Sequence, residues 1–175
     1  MSAVDPQHPD VVAFMEKASA ALGTPLAKPK DVFNFGGGAR TNPALVDKLL
    51  HLAIAGQKTA TTSFPIPEPL HWGVGDLSVI LDGRGIPGAV MRTTSLVQCR
   101  FQDVAVDFAL AEAEGDYDDY RRGHIEFYRK ENGHELTDES MVLCERFEVI
   151  YPKYGSNGEG GNGLGMGMEG GRENV

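Results

Sequence analysis

An α+β fold is what this sequence predicts, and three observations predict it. Two stretches with apolar residues at helical spacing occupy the first third, two β-rich runs joined by a turn occupy the middle, and a long alternating segment follows two further helical stretches near the end. Strands with helices inserted between them build a small, highly curved sheet or barrel with helices packed around it. A chain of 175 residues suits one domain with a real core.

The first helix is read from "DVVAFMEKASAAL", residues 10–22, where Val11, Phe14, Met15, Ala18 and Leu22 share a face and Gly23 supplies a C-terminal stop. The mixed Pro, Gly and polar residues of 23–40 read as an extended connection. Asn42 is a good N-cap and Pro43 fits a first helical turn, so a second helix follows, with Leu45, Leu49, Leu52 and Ala53 along one face and Gly56 at its end. The run "AGQKTATTSFP" is then a loop or the start of a strand. "GDLSVILDGRGIPGAVMRTTSLVQ" reads as two strands joined by the turn "DGRG". "DFALAEAEGD" suggests a short helix ending at Gly115, and the next helix carries Tyr117, Tyr120, His124 and Phe127 or Tyr128 as a stripe. "MVLCERFEVIY" closes the fold as a strand that puts Leu143, Glu145, Phe147, Val149 and Tyr151 on one side. The glycine-dominated tail has too few apolar residues to offset its ordering entropy and is expected to be disordered.

Composition narrows the function. A net charge of −9 and a pI near 5.0 disfavour broad polyanion binding. Cys99 and Cys144 stand far apart without a CxxC pattern, and the five histidines are not at ligand spacing, so neither a disulfide framework nor a metal site is expected. No membrane-spanning run and no leader-like N-terminus are visible, which leads us to expect a cytoplasmic protein.

Lys58 sits among Thr59, Thr61, Thr62 and Ser63, a lysine beside hydroxyls that become nucleophiles if a base is at hand. The bland alternative, a solvated loop lysine or a cationic anchor, has support from the preceding helix end, whose dipole favours the ammonium. Glu114 lies in an acidic stretch that suits either proton donation or a solvated helix end. Glu145 stands alone among apolar neighbours. A buried carboxylate needs a partner, which favours an ion pair with an arginine such as Arg92 over a site role. His124 reads more readily as a hydrogen-bonded core residue than as a catalyst. The "GGG" before Arg40 lacks the residues of a phosphate loop and reads as a flexible turn.

The order of four pieces, "FNFGGGARTNPALVDKLLHLAIAGQKTATTS", "GDLSVILDGRGIPGAVMRTTS", "AEAEGDYDDYRRGHIEFY" and "MVLCERFEVIY", resembles the ASCH domain family. The resemblance implies a PUA-like β-barrel over residues 32–153, with an N-terminal helical extension in 1–31 and the glycine-rich tail, 154–175, outside it. It also implies an activity linked to RNA or to modified nucleosides, foremost the hydrolysis of an acylated pyrimidine nucleoside such as N4-acetylcytidine. A non-catalytic RNA-binding module and a single-strand ribonuclease are the alternatives. By motif match the catalytic set falls on Lys58, Thr61 and Glu114; Arg40, Thr59, Trp72, Tyr120 and His124 are the expected substrate-binding residues. Tyr120 stands where close relatives usually carry Trp. In this reading Lys58 takes the Thr61 proton, Glu114 shuttles a proton to the leaving amine, and backbone N–H groups near residues 56–59 stabilise the oxyanion. A modified nucleoside or single-stranded RNA is the expected partner. No DNA, no membrane and no cofactor are implied, and the sequence gives no reading of oligomeric state.

Overall fold

The computed structural model describes residues 5–36 and 42–153. Arg40 and the glycine-rich tail lie outside the described residues. The architecture is the α+β, PUA-like one: a five-stranded sheet with flanking helices. Helices are α1 (Pro9–Leu22), α2 (Pro43–Ile54), α3 (Val106–Ala111) and α4 (Tyr117–Phe127). Strands are β1 (Asp31–Phe33), β2 (Ala60–Ser63), β3 (Leu77–Leu81), β4 (Pro87–Arg100) and β5 (Met141–Tyr151), ordered β1-β3-β4-β5-β2 across the sheet.

The local signals explain most boundaries. Asn42 accepts from the backbone N–H of Ala44 and Leu45, capping α2 where Pro43 begins it. Gly23, at φ 67°, ends α1 in the left-handed conformation that glycine adopts without a Cβ clash. Asp82 closes the β3–β4 turn by accepting from the N–H of Arg84 and Ile86. Tyr117 begins α4 behind a reciprocal capping box between Asp116 and Asp119.

Three differences from the sequence reading matter. The connection after α1 contains β1, which pairs parallel to β3, Asp31 opposite Ser78 and Phe33 opposite Ile80. The buried face of α2 is Val46, Leu49, Leu50 and Ala53, while Leu45 is exposed, because the helix packs on β4 and β5 one position round from the expected stripe. Helix α3 stops at Ala111, and the "EAEG" residues that follow form a turn instead of a last helical coil.

Side chains on the two faces and at one end of the sheet make three packed clusters. One joins α1 to β1, β3 and β4 through Val11, Met15, Ala18, Val32, Val79 and Val90. A second joins α2 to the sheet through Leu49, Leu50, Ile80, Met91 and Phe147, with Phe35 stacked on Phe147. The third holds α3 and α4 against β2 and β5 through Phe101, Phe108, Tyr120, Tyr128 and Val142. The second and third clusters flank the segment that carries Lys58.

Candidate functional site

Lys58 leaves the C-terminal end of α2 and precedes β2. Its main chain is fixed there: the N–H of Gln57 and of Lys58 both donate to Leu52 O, and that of Thr59 donates to Ala111 O. The N–H of Gly56 donates to Ala53 O. All four amides near the lysine are therefore occupied, and none is left to form the oxyanion hole expected from the sequence.

The Lys58 side chain is 1% exposed, so it is not a solvated loop lysine. Its Nζ donates to Glu112 Oε2 at 3.0 Å, to the main-chain O of Glu112 at 3.1 Å and to Glu114 Oε1 at 3.2 Å. Three contacts match the three protons of an ammonium. The Phe35 ring, centred 5.2 Å from Nζ, covers another side of the charge.

Both carboxylates reach one lysine because the backbone between them turns left-handed: Ala113 has φ 58°, the one non-glycine residue with positive φ among the described residues. Such a conformation costs an alanine roughly 1–2 kcal/mol. In a helix, residues two apart face different sides and would not meet at one amine.

Glu112 is the hub. It is 1% exposed, and its Oε1 accepts from Thr62 Oγ1 at 2.6 Å and lies 3.6 Å from His124 Nε2. Burial pushes its pKa up, but the Lys58 ammonium and His124 pull harder and hold it well below the usual carboxylate range. The same pairing raises the His124 pKa against the effect of burial. The Nδ1 of His124 sits 2.8 Å from Tyr120 O, a carbonyl that can only accept, so Nδ1 carries a proton. Because Thr62 gives its proton to Glu112, the Tyr120 hydroxyl, 2.8 Å away, donates to Thr62. Burial foremost, then the field of Glu112, raises the pKa of Tyr120 and keeps that phenol neutral. The Tyr128 hydroxyl completes the network on Thr62 O at 2.9 Å.

This network forms one wall of a cavity of about 320 Å³, within the range of small-molecule pockets. Lys58, Thr62, Glu112, Glu114 and His124 are among its lining residues. So are Thr61, Asp31, Phe33, Trp72 and Glu145. Of the expected catalytic and substrate-binding residues, Lys58, Thr61, Glu114, Trp72 and His124 thus border the same space. Thr59 is not on the wall, since its backbone is bound between Ala111 and Phe147. Tyr120, 1% exposed, lies behind Thr62. Glu112 was missed by the sequence reasoning, and Thr62, noted there beside Lys58, was left out of the expected site. The available signal for Glu112 was its position two residues before Glu114, and for Thr62 its place in a strand that alternates sides.

Glu145 has no arginine partner among the described residues. Arg92 pairs instead, at 3.1 Å, with Glu148, the residue directly opposite it across β4 and β5. The Glu145 carboxyl accepts from Thr93 Oγ1 at 2.6 Å. Burial raises its pKa most, Thr93 and the nearby Trp72 indole oppose that, and Asp31 adds to it. The Trp72 N–H is itself buried and meets no acceptor at hydrogen-bonding geometry, although it lies near enough to influence Glu145.

A compact sheet with helices framing an acidic, lysine-centred cavity defines an α+β domain. The chain belongs to the ASCH domain family, whose model matches residues 37–151. It is similar to the crystal structure of a protein from Enterococcus faecalis, 27% identical over 81% of this chain and 92% of that one, with a TM-score of 0.65. An ASCH domain structure from Lactobacillus crispatus covers 85% of this chain and 98% of its own at 20% identity and a TM-score of 0.67, a likeness of fold. No curated protein matches the chain.

Proposed function

We propose that the protein is a hydrolase acting on a small acylated nucleoside, cleaving the amide between an acyl group and the exocyclic nitrogen of a pyrimidine. The observation that supports this reading most is the buried Lys58 clamped to Glu112 and Glu114 on the wall of a nucleoside-sized cavity. Among the described residues, the cavity is lined by Asp31, Glu112, Glu114 and Glu145 against one lysine. Such a field suits an uncharged substrate better than a chain of phosphates.

The roles follow from the contacts. Lys58, held as an ammonium by two carboxylates, is an anchor and not the base that the sequence suggested. Glu114, whose side chain is 32% exposed, is the carboxylate open to a substrate. In the reaction we propose, Glu114 accepts the Thr61 hydroxyl proton as the Thr61 oxygen bonds to the acyl carbon. The tetrahedral adduct collapses, the C–N bond breaks, and Glu114 returns the proton to the leaving nitrogen. Water then attacks the Thr61 ester, giving one proton through Glu114 to Thr61 and releasing the acyl group as a carboxylic acid. Glu112, locked by Lys58, Thr62 and His124, positions the lysine.

The test is incubation with N4-acetylcytidine in parallel with a short single-stranded RNA, followed by chromatography. Release of cytidine and acetate, lost in Glu114→Gln, is the expected result. Intact N4-acetylcytidine beside bound or shortened RNA would overturn the reading in favour of an RNA-directed role.

A further inference from the structure

Glu145 is a buried carboxyl group that the proposed reaction does not use. It is 2% exposed, lines the cavity, and among the described residues has no cation to balance it. A carboxyl group in that position is costly unless something donates to it. Thr93 supplies one hydrogen bond, to Oε1. The strand register places the rest: Glu145 on β5 lies directly opposite Thr61 on β2. Side chains so paired share a face of the sheet, with Cβ atoms about 4.5–5.5 Å apart. The carboxyl group therefore stands beside the proposed nucleophile.

We propose that Glu145 is the specificity residue of this cavity, pairing with the contiguous N–H donor and nitrogen or oxygen acceptor on the edge of a planar six-membered heterocycle. The inference rests on the nucleoside reading above and says which part of the nucleoside is read. A carboxylic acid offers one O–H donor and one carbonyl acceptor side by side, the complement of an amidine or amide edge. Burial and Asp31 favour the protonated form needed for that pairing. The Thr93 hydroxyl fixes the carboxyl rotamer, and the Trp72 ring, 8% exposed, forms the adjacent wall. With its edge held at Glu145, the heterocycle brings its exocyclic substituent to Thr61.

Calorimetric titration tests this without requiring turnover. The ligands are cytidine, its N3-methyl derivative, whose edge is blocked, and the 4-desamino analogue, which lacks the donor. Each is titrated into the wild-type protein, Glu145→Gln and Glu145→Leu, with thermal melts confirming that the variants fold. The wild type is expected to bind cytidine about tenfold or more tighter than either analogue, the worth of one well-made buried hydrogen bond. Glu145→Leu is expected to bind all three equally weakly. Glu145→Gln, which keeps a donor and an acceptor in nearly the same shape, is expected to retain part of the preference. Equal affinity of the wild type for the three ligands, or undiminished cytidine binding by Glu145→Leu, overturns the assignment. Absence of any nucleoside binding by the wild type overturns it together with the nucleoside reading. Discrimination without hydrolysis of N4-acetylcytidine upholds it and removes only the proposed reaction.

Discussion

Glu112 and Glu114 are separated by a single residue and differ in what they face. Glu112 is enclosed and supplies half of a buried ion pair, and removing one member of such a pair leaves the other charge uncompensated, at about 3–5 kcal/mol. Glu112→Gln is therefore expected to lower the melting temperature by roughly 10 °C, using about 2–4 °C per kcal/mol for a domain of this size. Glu114→Gln leaves Lys58 its buried partner and is expected to melt within a few degrees of the wild type while losing turnover. Thermal melts beside product assays separate the two, and equal destabilisation would show that both glutamates are scaffold. Glu145 behaves in the opposite sense to Glu112. Its pKa is raised above the unfolded value of 4.5, so the folded protein holds the proton to higher pH than the unfolded chain. Below that value both states are protonated and nothing is lost, but as pH rises through 4.5 and onward to the folded value, stability falls. Glu145→Gln should thus raise the melting temperature at pH 7 and give no gain at pH 4. A lower melting temperature at pH 7 would count against a strained carboxyl group.

At the scale of elements, α1 is part of the core. Val11, Met15 and Ala18 are buried against β1, β3 and β4, so the segment expected to be an extension is continuous with the sheet's packing. Met15→Ala removes a side chain that is 8% exposed and is expected to cost about 2–5 kcal/mol, read by urea denaturation. A loss below about 1 kcal/mol would mean that α1 is only loosely attached. Elements were legible where one local signal was strong. The Asn42–Pro43 start of α2 and the alternation of Met141–Tyr151 needed no tertiary information. β1 was not legible, because three residues are too few to show alternation and only the partner β3 makes them a strand. The choice between the neighbouring hydroxyls Thr61 and Thr62 was equally hidden. Adjacent residues in a strand point to opposite sides, and which side meets Glu112 depends on the pairing of β2 with β5. Glu112 itself lies 54 residues from Lys58, a separation that no periodicity bridges.

For the whole molecule, charge is the property with the clearest functional consequence. At −9 overall, and with carboxylates around the cavity, the averaged field of the protein disfavours long-range attraction of a polyanion. Turnover of an uncharged nucleoside should change less than about twofold between 50 and 500 mM salt, because few counterions are displaced on binding. Steep loss of activity over that range would indicate phosphate contacts and an RNA substrate. Among the described residues no helix is long and apolar enough to cross a membrane, and no cluster of His, Cys, Asp and Glu is arranged to hold a metal ion.

The match to the family begins at residue 37, yet the cavity does not. Asp31, Phe33 and Phe35 come from β1 and the turn after it, upstream of that boundary, and they supply part of the pocket's lining and the aromatic cover over Lys58. A gene fragment trimmed to the shared core would retain every residue of the proposed reaction and still encode a vessel with one wall missing. Transfer of the proposed activity to another protein must therefore carry the upstream strand along.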